Sequence, residues 1–592
     1  MKKLMLGAVA LTLGQYAIAQ ETKKTNVILI LTDDQGFGDF SNNGNPYLNT
    51  PNMDALRENG VFFSNFHVSA VSAPTRAALM TGRYGYRTGV TGVNKSKVNM
   101  FEDEKTIAEY MKDAGYNTGL FGKWHLGYNY PMRPIDQGYD EYYAWEEMQF
   151  YRTNPIMEEN GINKQYKDRF LTDVVFEKAL GYIEKNTAKE EPFFMYLATY
   201  LPHTHHDGVQ VPEQYAKRFD KYPELSWHTR QSYGMIEKVD EQLGLLLKKV
   251  RELGIEENTL IIFGTDNGPA ECYPGQNRDC QNRYNAGLRG MKGDVYEGGI
   301  RTPFYFVWKN KLTPGTEINR FSAHVDILPT LVDLVGLTPD PQRTLDGNSL
   351  LPILKGETVN IPSTRYYYHM HRGDMDILNN EWKNSCYIED EYKLVDGKEL
   401  YYLPTDRNEE NDLASAEPLR LNFMRSRCEE YLREQLNERK LKYQPNIIGN
   451  KKQPIVNLQY FEIIGKEKGW PVFVEKTGKY NITIHDIQHD DINEDAYFRI
   501  EANGKSWEKK INKNNSSLTF RNLDLPKGEY FLTIKIIGDS FPKKFKIWNP
   551  QQGRYHSEEY GHRIVTVQDM SAKTKNNQNV VSSIGLYDGL LD

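Results

Sequence analysis

Cysteine is scarce in this chain of 592 residues. Only four are present, at Cys272, Cys280, Cys386 and Cys428. Four cysteines in so long a chain exclude a disulfide scaffold, and their spacing does not fit a zinc ribbon. Cys272 and Cys280 either close a short disulfide loop in an oxidising compartment or stay as buried thiols.

Positive charge is not in excess either. The chain carries 73 Lys and Arg residues against 80 Asp and Glu residues, a formal net charge of -7. A protein that binds nucleic acid normally carries a basic surface, so no nucleic-acid partner is expected. An anionic substrate remains compatible with this balance, because the local field at a site is independent of the net charge.

The apolar run near the start, residues 4–13, is too short to span a bilayer. It follows Lys2 and Lys3 and precedes Ala-Ile-Ala at residues 17–19, which is the pattern of a secretory signal peptide. No cysteine directly follows the run, so a lipid anchor is not indicated. We therefore expect an exported protein, periplasmic or secreted, without a transmembrane segment.

Hydrophobic residues make up 39% of the chain, which is enough for more than one core. Apolar runs at residues 26–31, 193–198 and 260–263 are typical of strands buried on both faces. Helical patterns at residues 106–114 and 230–253 alternate with them. This rhythm predicts an α/β fold with a mostly parallel sheet flanked by helices.

The pattern changes after about residue 360. Residues 366–368 and 392–395 favour antiparallel strands, and residues 417–440 favour a helix. Short strand patterns with turn signals, including Asn503-Gly504, predict a β-sandwich within residues 455–550. The predicted organisation is a signal peptide (1–19), a catalytic α/β domain (20–360), a smaller α+β subdomain with an antiparallel sheet (361–450), and an accessory β-sandwich domain and tail (451–592).

Oxygen-bearing side chains follow two of the predicted buried strands. Asp33 and Asp34 follow the first, and Asp266 and Asn267 follow another. Ligands of open parallel sheets bind beyond the carboxyl ends of the strands. Three carboxylates and an amide suit Ca²⁺ or Mg²⁺. Asp and Asn also favour plain turns, but two such doublets before glycine-rich turns favour the metal.

A second candidate site is the segment Ser72-Ala-Pro-Thr-Arg76, followed by AALMTGR. A helix is predicted from Thr75 onward, which places Ser72 just before its N-terminus. The free N–H groups of a helix N-terminus favour an anion, and Arg76 and Arg83 add positive charge. In the simpler interpretation Ser72 is a helix cap and Arg76 a surface charge.

These segments closely resemble type I, formylglycine-dependent sulfatases of the alkaline phosphatase superfamily, in their serine-type bacterial form. The family signature, C/S-x-P-x-R with a later T-G-R, matches SAPTRAALMTGR. Five more segments stand in the family order: TDD at 32–34, GKWHLG at 122–127, PHT at 202–204, GTDNG at 264–268, and KG at 292–293 with EGGIR at 297–301. Six ordered matches over roughly residues 25–440 argue against chance.

The resemblance implies an alkaline phosphatase-like fold and hydrolysis of sulfate esters. It implies one Ca²⁺ per chain, held by Asp33, Asp34, Asp266 and Asn267 together with the residue at 72. Ser72 would be oxidised to formylglycine (3-oxoalanine), whose hydrated aldehyde is the nucleophile. One hydroxyl of the hydrate attacks the sulfate, and the other later expels it and restores the aldehyde.

The resemblance also implies roles for five cationic or proton-transferring residues. Arg76, Lys123 and Lys292 would neutralise charge on the sulfate and on the hydrated aldehyde. His125 would take the proton during sulfate release. His203 or Lys292 would protonate the leaving-group oxygen.

Serine at position 72, where many family members have cysteine, implies a partner. The radical-type sulfatase-maturing enzyme of anaerobic bacteria accepts serine. The alternatives are an engineered cysteine-to-serine variant or an inactive relative, but every other matched position is filled. Export, the expected bacterial setting and the accessory domain favour a sulfated oligosaccharide or polysaccharide as substrate, with a terminal galactose or N-acetylgalactosamine sulfate.

Four further residues, His205, His206, His371 and Arg372, are candidates for holding the substrate, against the alternative of plain surface residues. Two other functions stay open. One is a phosphatase or phosphonate hydrolase of the same superfamily; superfamily phosphatases typically bind two zinc ions and often carry Asp-His where this chain has Asp266-Asn267. The other is a glycan-binding relative without catalytic activity.

Overall fold

The computed structural model describes residues 23–93, 97–145, 153–203, 211–270, 282–358, 360–362, 364–369, 382–439, 444–458, 469–484, 497–510, 517–537, 545–549, 554–558 and 565–571. The largest feature of this part of the chain is an 11-stranded sheet. Its strands are β1 (Asn26–Thr32), β2 (Val61–His67), β3 (Asn117–Gly122), β4 (Glu141–Trp145), β5 (Ile156–Glu159), β6 (Ile162–Gln165), β7 (Phe193–Ala198), β8 (Thr259–Thr265), β9 (Arg301–Val307), β10 (Thr316–Ile318) and β11 (Ser322–Ala323).

The strands lie in the order β10-β2-β9-β8-β1-β7-β3-β4-β5-β6, and β11 pairs with β2. The central strands β8, β1, β7, β3 and β4 are parallel to one another. β9 runs antiparallel to both β8 and β2. The predicted mostly parallel α/β sheet is therefore confirmed.

Eleven α-helices accompany the sheets in the described part of the chain. They are α1 (Pro51–Asn59), α2 (Ser72–Thr81), α3 (Gly85–Thr88), α4 (Ile107–Asp113), α5 (Leu171–Ala188), α6 (Glu213–Ala216), α7 (Trp227–Glu252), α8 (Glu297–Ile300), α9 (Ile327–Leu334), α10 (Leu351–Leu354) and α11 (Pro418–Glu438). Among the described residues, none of the helices has the length and apolar character needed to cross a membrane.

Two hydrophobic cores cover the two faces of the large sheet. Alternate residues of β1 enter different cores: Ile28 packs on one side and Leu29 on the other. The first core contains side chains of α5 and α7, and the second contains side chains of α2, α4 and α9. Every residue of α2 is buried, so this helix lies inside the protein rather than on its surface.

A second, antiparallel sheet has the order β12 (Tyr366–His369), β13 (Ser385–Glu389), β14 (Tyr392–Val395) and β15 (Glu399–Tyr402). It shares a third hydrophobic core with α11 and with residues on either side of Ser72, among them Val71 and Ala78. Cys386 and Cys428 are buried in this core as thiols, whereas Cys272 and Cys280 lie outside the described residues. The sheet thus packs near the start of α2.

The remaining strands form two facing sheets and a separate hairpin. Their bounds are β16 (Asn446–Ile448), β17 (Ile455–Leu458), β18 (Trp470–Val474), β19 (Gly478–Ile484), β20 (Tyr497–Ala502), β21 (Lys505–Lys510), β22 (Leu518–Leu525), β23 (Gly528–Ile537), β24 (Phe545–Asn549), β25 (Arg554–Glu558) and β26 (Val565–Asp569). One sheet has the order β16-β18-β23-β20-β21 and the other β17-β26-β19-β22, with a shared apolar core.

The predicted hairpin at Asn503-Gly504 is confirmed. The two residues have φ values of 46° and 74° and join the antiparallel strands β20 and β21, as a two-residue hairpin turn requires. The two facing sheets extend beyond the predicted residues 455–550, because they include β16 and β26. The division of the chain into domains stays a prediction.

Candidate active site

Four parallel strands end at the same edge of the large sheet. Thr32, the last residue of β1, pairs with Thr265 of β8, and Ala198 of β7 pairs with Leu31 and with Gly122 of β3. This register brings the segments that follow the four strands together, namely Asp33-Asp34, Asp266-Asn267, His203 and Lys123–His125. The sheet edge is therefore the place where the predicted site residues meet.

The oxygen-bearing group is buried and partly unpaired. Asp33, Asp34, Asp266 and Asn267 are each at most 1% exposed. The Asp34 N–H donates to Asp266 Oδ1 at 3.1 Å, and Asn267 Nδ2 donates to Asp34 Oδ1 at 2.8 Å. Asp33 Oδ1 and Asn267 Oδ1 have no hydrogen-bond partner among the described residues. Two unpaired buried oxygens in a hard oxygen set fit a calcium ion.

Each carboxylate also contacts a cation. Lys123 Nζ lies 2.9 Å from Asp33 Oδ2, and Lys292 Nζ lies 2.7 Å from Asp34 Oδ1. The Arg76 guanidinium lies 2.8 Å from Asp266 Oδ2. These contacts put three positive charges around the place where an anionic substrate and a metal would meet.

The surroundings shift the pKa values of two neighbouring carboxyls, those of Asp33 and Asp266, in opposite directions. Burial raises the pKa of Asp33, but Lys123, His203 and Arg76 together hold it well below its usual range. Burial and then the nearby Asp33 raise the pKa of Asp266 to about 7, against the opposing effect of Arg76. Asp33 is thus ionised at neutral pH, while Asp266 titrates there.

Ser72 is the first residue of α2, and the extended residue Val71 occupies the N-cap position. The prediction that the helix starts at Thr75 is therefore wrong. Pro74 falls in the first turn, where its missing N–H removes no helical hydrogen bond, so the helix extends through it. The interpretation of Ser72 as a helix cap is wrong for the same reason.

Arg76 connects Ser72 to the carboxylates. Its Nε donates to Ser72 Oγ at 2.8 Å, one helical turn away, and its terminal nitrogens reach Tyr196 Oη at 3.1 Å as well as Asp266. Arg76 is fully buried, so it is not a surface charge. Arg83 instead pairs with Glu104 at 3.0 Å and with Glu438; its charge is compensated there.

The two histidines differ in exposure. His125 is buried and follows β3 with a left-handed φ of 62°. His203 has a side chain that is 25% exposed, and its Nε2 lies 3.7 Å from Asp34 Oδ2. Ligand atoms of Asp33, Asp34 and His203 lie within 4.8 Å of one another. His205, His206, His371 and Arg372 lie outside the described residues, so their roles stay predictions.

Sequence reasoning missed three residues, Tyr196, Arg283 and Asp39, that contact Arg76 or the segment that begins at Asp34. Tyr196 in β7 accepts the hydrogen bond from Arg76. Arg283 donates to the Asp34 carbonyl at 3.1 Å and pairs with Asp39 at 2.6 Å. Asp39 follows Asp34 in a glycine-rich loop, a visible signal, but no local pattern links Arg283 or Tyr196 to residues so distant in the chain.

Family models match two parts of the chain. The first is described as sulfatase and matches residues 25–337. The second is described as N-sulphoglucosamine sulphohydrolase, C-terminal, and matches residues 291–443. The first match alone covers more than half of the chain and includes every described residue of the candidate site.

Individual proteins agree with these matches. An N-acetylgalactosamine-6-sulfatase of Mus musculus is 30% identical over 373 residues, which are 58% of this chain and 68% of the mouse protein. An arylsulfatase of Klebsiella aerogenes is 27% identical over 459 residues, 62% of this chain and 98% of that enzyme. A crystal structure of a protein in complex with k-i-k-neocarrahexaose superposes with a TM-score of 0.62 at 26% identity, covering 71% of this chain and 94% of that one.

Proposed function

The chain belongs to the sulfatase family and is a sulfuric ester hydrolase, and on this premise we propose that it removes sulfate from carbohydrates with a formylglycine at position 72 and one bound calcium ion. The observation that carries the proposal is the contact of Ser72 Oγ with Arg76, whose guanidinium also pairs with Asp266. This contact supports the assignment of residue 72 as the nucleophile, because the same guanidinium pairs with one of the proposed metal ligands.

Asp33, Asp34, Asp266 and Asn267 would hold the calcium ion together with the residue at 72. Asp33 Oδ1 and Asn267 Oδ1 support this assignment, because neither accepts a hydrogen bond from a described residue and each could coordinate a cation. A calcium ion held there would polarise sulfate oxygens and favour an ionised nucleophile.

Formylglycine at position 72, as its hydrate, would supply one hydroxyl to attack the sulfur atom and a second to release the sulfate. Arg76 Nε, at 2.8 Å from Ser72 Oγ, orients the side chain at that position. Lys123 and Lys292 neutralise charge on the sulfate. His125, which follows Lys123 on the same loop, accepts the proton during sulfate release.

The leaving group is proposed to face Lys292 and His203. Their side chains are 16% and 25% exposed, more than those of the buried carboxylates behind them. A sugar that enters from solvent meets these two residues first. Either can donate the proton that the leaving oxygen requires.

We propose a terminal galactose or N-acetylgalactosamine sulfate as the target, in a sulfated oligosaccharide or polysaccharide. The mouse relative is named for N-acetylgalactosamine, and the similar solved structure contains a neocarrahexaose. Export through the signal peptide at residues 1–19, and maturation by the radical-type enzyme of anaerobic bacteria, complete the proposal.

Mass spectrometry of the Ser72 peptide tests the proposal first, on protein produced together with a serine-competent maturation enzyme. We expect the loss of two hydrogens from Ser72, and sulfate release from a panel of sulfated galactose and N-acetylgalactosamine sugars. Ser72→Ala is the matched control and should release none. An unmodified Ser72 with glycan binding but no turnover would instead support a binding protein.

Metal analysis of the same preparation distinguishes the sulfatase proposal from the phosphatase alternative. One calcium ion per chain is expected, and removal of calcium should abolish sulfate release. Two zinc ions per chain would contradict the sulfatase proposal. Assays with phosphate and phosphonate monoesters on the same protein complete this comparison.

A further inference from the structure

The loop that follows His125 is bonded to the first segment of the C-terminal β-sheets. Asn129 in this loop is fully buried. Its Nδ2 donates to Asn446 Oδ1 at 2.7 Å and to the Asn457 carbonyl at 2.8 Å. Asn446 begins β16 and Asn457 lies in β17, so one side chain of the catalytic region joins both facing sheets.

The side-chain oxygen of Asn129 also bonds to residues 446–457. Its Oδ1 accepts from Gln453 Nε2 at 3.1 Å and from the Asn457 N–H at 3.3 Å. Gln453 Oε1 in turn accepts from the Tyr130 N–H at 2.6 Å. All four hydrogen-bonding positions of the Asn129 amide are therefore filled by residues 446–457.

A short chain of contacts leads from Asn129 back to the candidate active site. The Asn129 carbonyl accepts from the Met132 N–H at 2.8 Å, which closes a turn. The Met132 carbonyl accepts from the Trp124 indole N–H at 2.8 Å. Trp124 stands between Lys123 and His125 in the sequence, and both Trp124 and Met132 are almost fully buried.

The backbone of this loop needs such support. His125 has a φ of 62°, in the left-handed region that a histidine adopts uncommonly. Such a conformation persists only where the surroundings determine it. Gly127 has a φ of 119°, and a Cβ there would lie 2.5 Å from Met132 Cβ, so the loop packs closely against the turn that Asn129 closes.

We propose that Asn129 is a positioning residue through which the C-terminal β-sheets set the conformation of the loop that carries Lys123 and His125. The β-sheets are then part of the catalytic unit rather than only an appended module. The catalytic side of this inference rests on the proposed function, because Lys123 and His125 act on the sulfate there.

The test uses the full, matured chain and two variants, Asn129→Ala and Gln453→Ala. We expect Asn129→Ala to lower kcat at least about tenfold with little change in KM. Gln453→Ala, which removes only part of the contact, should lower kcat less. The pH profile of kcat should also shift for Asn129→Ala, because the proton acceptor His125 is displaced.

Thr483→Val is the matched control. It removes the Thr483–Thr519 side-chain hydrogen bond inside the same β-sheets and leaves the contacts of Asn129 intact. We expect it to lower the melting temperature without changing kcat or the pH profile. A general loss of stability in the β-sheets is thereby separated from an effect on the loop.

Hydrogen–deuterium exchange provides a readout that does not need turnover. Asn129→Ala should raise exchange in the peptide covering residues 123–132, and Thr483→Val should not. If the unsubstituted enzyme releases no sulfate, the proposed function fails while this measurement still tests the contact. Unchanged exchange at residues 123–132 in Asn129→Ala, or a kcat within about twofold of the unsubstituted enzyme, would overturn the proposal. If Asn129→Ala does not fold, the same measurements on Gln453→Ala decide.

Discussion

At the scale of single residues, the fully buried carboxyl of Asp266 is distinguished by its pKa. Burial and the neighbouring Asp33 raise its pKa to about 7. The pKa is raised above the ordinary value of 3.8, so ionisation costs stability in the metal-free protein. The protonated Asp266 therefore contributes stability at low pH, and this stability is lost as the pH rises through about 7.

Calcium affinity should therefore fall as the pH is lowered from 8 to 6. In the proposed site calcium would need the deprotonated Asp266, so its binding below pH 7 should release a proton and its affinity should fall by up to about tenfold per pH unit. Isothermal titration calorimetry in buffers of different ionisation enthalpy counts the released protons. An affinity that stays constant over this range would show that Asp266 is already ionised without the metal.

Asn267→Asp should make the protein depend more strongly on calcium. The substitution replaces the amide that donates to Asp34 Oδ1 with a like charge. We expect the metal-free protein to lose about 1–3 kcal/mol, and calcium to raise its melting temperature by more than in the unsubstituted chain.

Thermal unfolding with EGTA and with calcium measures this difference. Asn481→Asp is the control, since its oxygen only accepts from the Asn522 N–H and an aspartate keeps that acceptor. An equal calcium response of Asn267→Asp and the unsubstituted chain would place the metal elsewhere.

The residues of the site were predictable where they directly follow a strand. Asp33, Asp34 and Asp266 stand at strand ends in the sequence, and the sheet register brings them together. Arg283 and Tyr196 were not predictable, because their contacts form only after distant segments have packed. The metal-binding and catalytic roles themselves stay predictions until the measurements above.

At the scale of elements, α4 shows what a local signal contributes. Thr106 Oγ accepts from the Glu109 N–H at 3.3 Å, and Glu109 Oε2 accepts from the Thr106 N–H at 2.8 Å. Thr106 Oγ also donates to the Gln137 carbonyl at 2.8 Å. The backbone N–H groups of Thr106 and Glu109 at the start of the helix are thus both hydrogen-bonded by this reciprocal pair.

Thr106→Ala should lower the free energy of unfolding by about 1–2 kcal/mol. Thr106→Ser keeps the hydroxyl and should lose much less. Urea denaturation of the two variants measures the difference. Equal losses would assign the effect to the methyl group of Thr106 rather than to its hydrogen bonds.

Strand existence was easier to predict than strand pairing. Alternating patterns and the Asn503-Gly504 turn predict β20 and β21 together, because the turn joins consecutive strands. The pairing of β17 with β26 could not be read from the sequence, since these strands are far apart in the chain. The predicted start of α2 at Thr75 is three residues late, because the helix begins at Ser72 and includes Pro74 in its first turn.

At the scale of the whole molecule, a buried charged cluster joins the large sheet to the second sheet. Lys393 in β14 lies 2.9 Å from Glu297 in α8 and 2.7 Å from Glu409. His67, at the end of β2, lies 3.0 Å from Glu297. The side chains of His67, Glu297 and Lys393 are fully buried. Burial raises the pKa of Glu409 to about 7 despite Lys393.

Lys393→Ala should lower the free energy of unfolding by about 3–5 kcal/mol at pH 8, because two buried carboxylates lose their common cation. The loss should be smaller at pH 5, where Glu409 takes up a proton. Lys398→Ala, at an exposed position in the turn between β14 and β15, is the control and should cost little. Urea unfolding at both pH values measures the effect, and a loss independent of pH would exclude Glu409 as its source.

The burial of α2 has a consequence for protein synthesis. Ser72 is 1% exposed, and α2 packs against α4, α9 and the core of the second sheet, so the folded chain offers a modifying enzyme almost none of the Ser72 side chain. The oxidation that we propose must precede the closure of these later segments. At ordinary rates of translation, tens of seconds separate the emergence of Ser72 from the ribosome and the completion of β15. The yield of active protein therefore depends on whether the proposed oxidation of Ser72 is faster than the folding of the chain around it.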